Sequence, residues 1–168
     1  MAVLDSGKRN KSPKEAMPAL IAIRPFKPQD RAFVLDSMRR TLVRNSAYAT
    51  GLQPEVLNLL VEPVLATYTT LVATPQGDPD EILGYVIHDG PHVVGFLYVK
   101  EALRRHGIGS ALLKAAGVEK GEVVAPLIVT KLPGAGNFPK LAETKGYTLR
   151  FRPWMGLSQM ARMLEAAA

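Results

Sequence analysis

The segment that most limits what this chain can become spans residues 97–113. It holds the end of a β-branched and aromatic strand pattern, a short connection, Arg104-x-x-Gly107-x-Gly109, and an apolar helix. A strand that turns directly into a helix leaves unpaired N–H groups at the helix start, beside the positive end of the helix dipole. Such a corner suits an anion, above all a pyrophosphate. Gly107 and Gly109 let the backbone turn sharply and approach phosphate oxygens without a Cβ in the way. Arg104, Arg105 and His106 add positive charge at the same place. The spacing is not that of a Walker A loop, which ends in Gly-Lys-Ser/Thr. Nor is it the dinucleotide fingerprint, because Leu112 stands where a third glycine or alanine belongs.

The surrounding pattern predicts α+β. Residues 19–24 form a short apolar run closed by Pro25, a first strand. Pro28 opens a helical pattern in which Phe33, Val34, Met38, Leu42 and Val43 recur at three- and four-residue steps, with Arg31, Arg39, Arg40 and Arg44 interleaved. Pro54 starts a second apolar helix through Leu65, and Pro63 predicts a kink or an early stop. Residues 69–74, 81–88 and 92–99 are three strands separated by turn-rich connections at residues 75–80 and 89–91. Three strands in antiparallel succession after two helices argue against a doubly wound sheet. After the glycine loop and its helix (104–116), residues 122–130 form another strand, with Pro126 marking an edge, a bulge or a break. Residues 138–145 are a short helix stopped at Gly146, and 147–152 alternate as a final strand. The tail at 157–168 is a last helix, a packing element or a homodimer contact.

A chain of 168 residues has room for one such domain, here 19–168, behind a polar, basic, mobile arm at 1–18. No apolar run approaches a membrane span, and the start lacks the apolar core of a secretory signal, so a cytoplasmic protein without membrane contact is expected. With no cysteine and three histidines lacking a paired spacing, neither disulfide nor metal site is expected. The net charge of +6 is concentrated in the arm and on Arg31, Arg39, Arg40 and Arg44. Such charge attracts nucleic acid, acidic proteins or an anionic cofactor, and it also suits a solvated face.

Leu97-x-Val99, a four-residue connection, Arg104-x-x-Gly107-x-Gly109 and the apolar helix with Leu112 and Leu113 resemble the signature of the GNAT family of N-acetyltransferases. The order of elements from about residue 20 to 152 is similar to that family's as well. The resemblance implies a central, mostly antiparallel sheet flanked by helices, with acetyl-coenzyme A or another acyl-coenzyme A as co-substrate and an amine as acceptor. It implies that Leu97, Tyr98 and Val99 lie beside the pantetheine arm like an added strand. Arg104, Arg105, His106, Gly107, Ile108, Gly109 and Ser110 would wrap the pyrophosphate, with Asn137 touching the cofactor arm. The strand bearing Val99 would splay from the strand beginning at Glu122, opening a slot for the thioester.

The chain departs from the family at the tyrosine that commonly protonates the leaving thiolate. Counting back from Gly146 puts Ala142 there, and counting forward from Asn137 puts Thr144 there; neither is an acid. Three accounts stay open: the thiolate leaves unprotonated or through water, another residue serves (Tyr98, Tyr147 or Tyr85), or the cofactor is bound without ordinary transfer. Glu81 and Tyr98 are the candidate catalytic side chains, while His88 and His92 near a hairpin tip are expected at the surface. Strand alternation leaves open whether Tyr98 faces the slot or the core. Trp154 is expected to cap the core, with stacking on a base as the other account. The sequence thus points to an acetyl-coenzyme-A-dependent N-acetyltransferase acting by direct attack of an amine. The alternative is a protein of the same fold that associates with nucleic acid through its basic arm and helix, or senses acyl-coenzyme A.

Overall fold

The computed structural model describes residues 20–45, 54–125, 143 and 145–151. The arm at 1–18, Pro126 and the rest of its strand, Asn137, Ala142, Thr144, Trp154 and the tail at 157–168 lie outside the described residues. β1 (Ile21–Pro25) leads through a single 3-10 turn at Pro28–Asp30 into α1 (Arg31–Asn45), which is followed by α2 (Pro54–Thr67). Then come β2 (Thr69–Pro75), β3 (Gly84–Asp89), β4 (Val93–Val99), α3 (Ile108–Ala115), β5 (Gly121–Ala125) and β6 (Tyr147–Phe151). The strands form one sheet in sequential order. β1 to β4 pair antiparallel, β5 joins β4 in parallel, and β6 joins β5 in parallel. The expected α+β architecture with a mostly antiparallel mixed sheet is the observed one.

Side-chain alternation divides the core between the two faces of this sheet. One face buries Val72, Tyr85, Ile87 and Phe96 against Val34, Leu35, Met38 and Leu42 of α1 and Val61 and Val64 of α2. The other buries Ala73, Val86 and Val94 against Ile108 and Leu112 of α3, with Val118 and Val123. β3 is covered on both sides, which is why Gly84 to Ile87 are buried without interruption. The α1 stripe differs from expectation at its edges: Leu35 is buried, while Phe33 is half-buried and Val43 is exposed. Val43 lies nine residues from Val34, about half a turn away around a helix, so it cannot share that stripe.

Two expected boundaries also move. Pro63 does not end α2, which continues to Thr67. The amide of Tyr68 still donates to the Val64 carbonyl at 3.1 Å, so the helix closes one more turn beyond the missing proline donor. β3 begins at Gly84 rather than Glu81, because the Asp78 carboxylate accepts from the amides of Asp80 and Glu81, both at 3.2 Å, and holds that stretch as a turn. The entry into α1 is fixed by Asp30. Its buried carboxylate takes two guanidinium donors from Arg24, at 2.7 and 2.9 Å, and the amide of Lys27 at 2.7 Å. Arg24 also donates to the Pro79 carbonyl, joining β1 to the turn before β3.

Candidate functional site

The site begins with an irregularity in β4. Ile87 pairs with Phe96, whereas His88 pairs with Val94, so Gly95 is an extra residue opposite a regular β3. Such a bulge bends its strand and increases the local twist. It follows directly on the one described pairing between β4 and β5, Val93 with Val124, where the Val124 amide donates to the His92 carbonyl at 2.7 Å. Beyond the bulge, the amide of Lys100 donates back to Leu83 at 2.9 Å, on the β3 side. Alternation then directs the peptide groups of Tyr98 toward β3 and those of Leu97 and Val99 to the opposite edge. Among the described residues, no strand pairs with that edge at Leu97 to Val99; the Val99 carbonyl accepts from Arg104 Nε at 3.2 Å.

A 3-10 turn over Glu101–Leu103 carries the chain to the glycine loop. Arg105 has φ 68° and Gly107 has φ 85°. Gly107 is the residue before α3, and its carbonyl accepts the first helical bond, from Ala111 at 2.9 Å. The amides of Ile108, Gly109 and Ser110 therefore precede the first helical hydrogen bond, and Gly107 at the N-cap has no side chain to cap them. Ile108 anchors the corner by burying its side chain in the core beneath α3, while Ser110, Arg104 and Arg105 are exposed. His106 is half-buried, with Nδ1 sealed from solvent and without a partner among the described residues. The two glycines differ in kind. Gly107 needs its left-handed backbone, whereas Gly109 has no positive φ, and a Cβ there would lie 3.8 Å from the methyls of Leu97 and Val99, in ordinary contact. Gly109 thus sits over the side chains of β4, and the amides that open α3 stand next to the edge that no described strand pairs.

Tyr98 lies on the α1–α2 face, which alternation in the sequence left open. Its half-buried ring stacks on Tyr85, its cross-strand partner, with centroids 5.4 Å apart. Phe33 of α1 meets it edge-on at 6.1 Å. The Tyr98 hydroxyl has no hydrogen-bond partner among the described residues. The other two tyrosines are placed differently. Tyr85 is fully buried, its hydroxyl 2.8 Å from Ser37 Oγ and donating to the Val34 carbonyl at 3.2 Å, and burial holds that hydroxyl well above the usual phenol range. It cannot reach a substrate. Tyr147 packs on the opposite face, near α3. Glu81 is exposed and paired with Lys100 Nζ at 3.0 Å, next to the end of β4. His92 is at the surface as expected, 4.0 Å from Glu119, but His88 has both ring nitrogens buried, because β3 is a central strand covered on both faces.

The interleaved arginines are partly neutralised within the fold. Arg31 pairs with Glu62 across α1 and α2, and Arg40 pairs with Asp36 one turn away. Arg39 Nε is buried without a partner among the described residues, and the side chain of Arg44 lies outside them. Two residues that shape the site were missed in the sequence. Gly95 forms the bulge, and Gly84 lies where a Cβ would come within 2.6 Å of the Tyr98 carbonyl oxygen. An isolated glycine inside a strand pattern is the available signal for both, since it marks a bulge or a close backbone approach.

No family model and no curated protein matches the chain. It is similar to solved structures of GNAT-type N-acetyltransferases at low identity. A GCN5-related N-acetyltransferase from Rhodopseudomonas palustris is 20% identical with a TM-score of 0.35, the match covering 57% of this chain and 62% of that one. A protein described as an acetyl transferase from Pyrococcus furiosus is 20% identical with a TM-score of 0.46, over 77% of this chain and 94% of that one. The ribosomal-protein-alanine N-acetyltransferase of Brucella melitensis biovar Abortus 2308 is 16% identical with a TM-score of 0.39, over 79% and 80%. Among the described residues, no helix is long and apolar enough to cross a membrane and no side-chain cluster suits a metal ion.

Proposed function

We propose that this chain is an N-acyltransferase that takes its acyl group, acetyl in the first instance, from a coenzyme A thioester and passes it to an amine. The observation that carries this is one corner of the fold. Three amides at the start of α3, preceding its first helical hydrogen bond, lie beside a stretch of β4 whose outward peptide groups, at Leu97 and Val99, have no described strand partner. A pyrophosphate suits the first feature, and an amide-bearing arm that pairs like a strand suits the second. Arg104 and Arg105 supply counter-charge. Asn137, outside the described residues, is assigned to the cofactor arm by resemblance alone, as is the splaying of the strand after Val124.

In this mechanism the amine nitrogen attacks the thioester carbonyl, and the charge developing on its oxygen is stabilised by peptide N–H donors of β4 near Val99. Collapse breaks the carbon–sulfur bond, and the departing thiolate takes a proton from the Tyr98 hydroxyl, in place of the acid absent at Ala142 and Thr144. Glu81 is assigned to the proton lost by the amine. The test is calorimetric titration of the full chain with acetyl-coenzyme A, beside a variant carrying Gly107→Val and Gly109→Val. Micromolar binding abolished in the variant is the expected result; absence of binding to the parent overturns the proposal.

A further inference from the structure

Resting on the acyl-transfer chemistry proposed above, we infer that Tyr85 and Phe33 are positioning residues that fix the direction of the Tyr98 hydroxyl. Tyr85 and Tyr98 are register partners on adjacent strands, with rings 5.4 Å apart and inclined by 23°. Phe96 stacks near Tyr85 at 6.1 Å and 16°, so Tyr85 is also held by a second ring of β4. Phe33 closes on the Tyr98 ring at 6.1 Å and 74°, the edge-to-face arrangement that aromatic pairs favour. The Tyr98 ring therefore touches one ring stacked in parallel and another edge-on. The oxygen of a tyrosine lies on the axis about which its ring turns, so χ1 alone sets where it points, and rings on two sides hold Tyr98 in one χ1 rotamer.

Tyr85 can serve as the fixed member because it cannot turn. Its side chain is fully buried, and a buried hydroxyl deprived of partners is costly. Both partners belong to α1: Ser37 Oγ at 2.8 Å and the Val34 carbonyl at 3.2 Å. Ser37 is held in turn by the carbonyls of Phe33 and Val34, at 2.8 and 2.9 Å. Helix α1 thus reaches Tyr98 by two routes, through Ser37 and Tyr85 and through Phe33 directly. A shift of α1 relative to β4 would turn the Tyr98 hydroxyl.

The experiment uses the full chain with isotope-labelled tyrosine and the variants Tyr85→Leu, Tyr85→Phe, Phe33→Leu and Tyr98→Phe. Three-bond NMR couplings on the free protein read the χ1 rotamer populations of Tyr98. Thiol release from acetyl-coenzyme A, with hydroxylamine as the amine, is followed across pH. Tyr85→Leu should bind acetyl-coenzyme A like the parent, populate a second Tyr98 χ1 rotamer and lower kcat about tenfold through misorientation. It should also lose the limb of the pH profile that Tyr98→Phe loses. Tyr85→Phe, which keeps the stacked ring, should restore the single rotamer and most of kcat. Should Tyr85→Leu not fold, Phe33→Leu, altered at a half-buried position, must still release the Tyr98 rotamer. Unchanged rotamer populations in both leucine variants overturn the inference, and so does a loss of kcat in Tyr85→Leu that only follows lost acetyl-coenzyme A binding. Failure of the parent to bind acetyl-coenzyme A overturns the proposed function alone, since the rotamers are read without it.

Discussion

Gly84→Ala should damage both the fold and the site, by an amount that follows from one distance. A Cβ at residue 84 would lie 2.6 Å from the carbonyl oxygen of Tyr98 and 3.3 Å from Val99 Cα. Carbon–oxygen contacts of this kind normally stand at about 3.3 Å or more, so the methyl is too close by about 0.7 Å. Both obstructing atoms are backbone, and neither can swing away as a side-chain tip would. β3 and β4 must part where Gly84 pairs with Val99, between two core layers that resist the movement. Overpacking of a rigid site costs about 2–3 kcal/mol, the upper part of its usual range. For a chain of this length that lowers the melting midpoint by roughly 5–10 °C. The displaced strand carries Val99, so acetyl-coenzyme A affinity should fall by more than the loss of folded protein explains. Urea unfolding gives the stability and calorimetry the affinity. Gly109→Ala is the control: its Cβ makes only 3.8 Å contacts, and stability should change by less than about 0.5 kcal/mol. Parent-like stability in Gly84→Ala, or an equal loss in Gly109→Ala, would refute the steric reasoning.

Gly107→Ala must hold an alanine at φ 85°, which should cost about 1–2 kcal/mol in urea unfolding and weaken acetyl-coenzyme A binding as the loop relaxes. Arg104→Ala removes the donor to the Val99 carbonyl and a charge beside the amides that open α3; calorimetry should give about tenfold weaker acetyl-coenzyme A binding, with a smaller dependence on salt. Asp30→Asn should cost about 3 kcal/mol in urea unfolding, because Arg24 is left without its carboxylate in a nearly closed site. Bonds from Arg24 hold the Asp30 carboxyl below its usual range, so its contribution is complete above the unfolded carboxylate value. That contribution is lost as pH falls through the depressed folded value; stability measured against pH should lack this step in Asp30→Asn.

How much of this was legible in the chain depended on whether the signal was local. The order of the described strands and helices followed from periodicity, and the turn that opens α3 from Arg104, Gly107 and Gly109, which are sequence neighbours. The partners of Arg31 and Arg24 were not legible, because Glu62 and Pro79 meet them only through the packing of α1 on α2 and of β1 beside the turn before β3. The face occupied by Tyr98 was hidden for a different reason. Val93 packs on the α1–α2 face, and strict alternation from it would send Leu97 to that face and Tyr98 to the other. The extra residue at Gly95 shifts the alternation by one. Phe96 and Tyr98 therefore join Val93 on the α1–α2 face, while Leu97 and Val99 turn toward α3. A one-residue bulge reverses every assignment beyond it, and its position depends on the pairing with β3, which composition does not encode.

Gly95 therefore performs two tasks that can be separated. It bends β4 just after the last described pairing with β5, and it leaves room for α2 to close on the sheet. A Cβ there would lie 2.8 Å from the Tyr68 ring and 3.0 Å from a Val64 methyl. Gly95→Ala keeps the extra residue, and hence the bend, but crowds the end of α2; it should lose stability in urea while acetyl-coenzyme A still binds the folded fraction. Deletion of Gly95 does the reverse. With Val94 next to Phe96, ordinary alternation keeps Val93, Phe96 and Tyr98 on one face and Val94, Leu97 and Val99 on the other, so both core layers retain their side chains. Only the bend is lost, and β4 is free to run on beside β5 past Val93. If the edge at Leu97 and Val99, which no described strand pairs, is where the cofactor arm pairs, the deletion should weaken acetyl-coenzyme A binding far more than it weakens the fold. Unchanged affinity in a folded deletion variant would mean that the bulge serves packing alone.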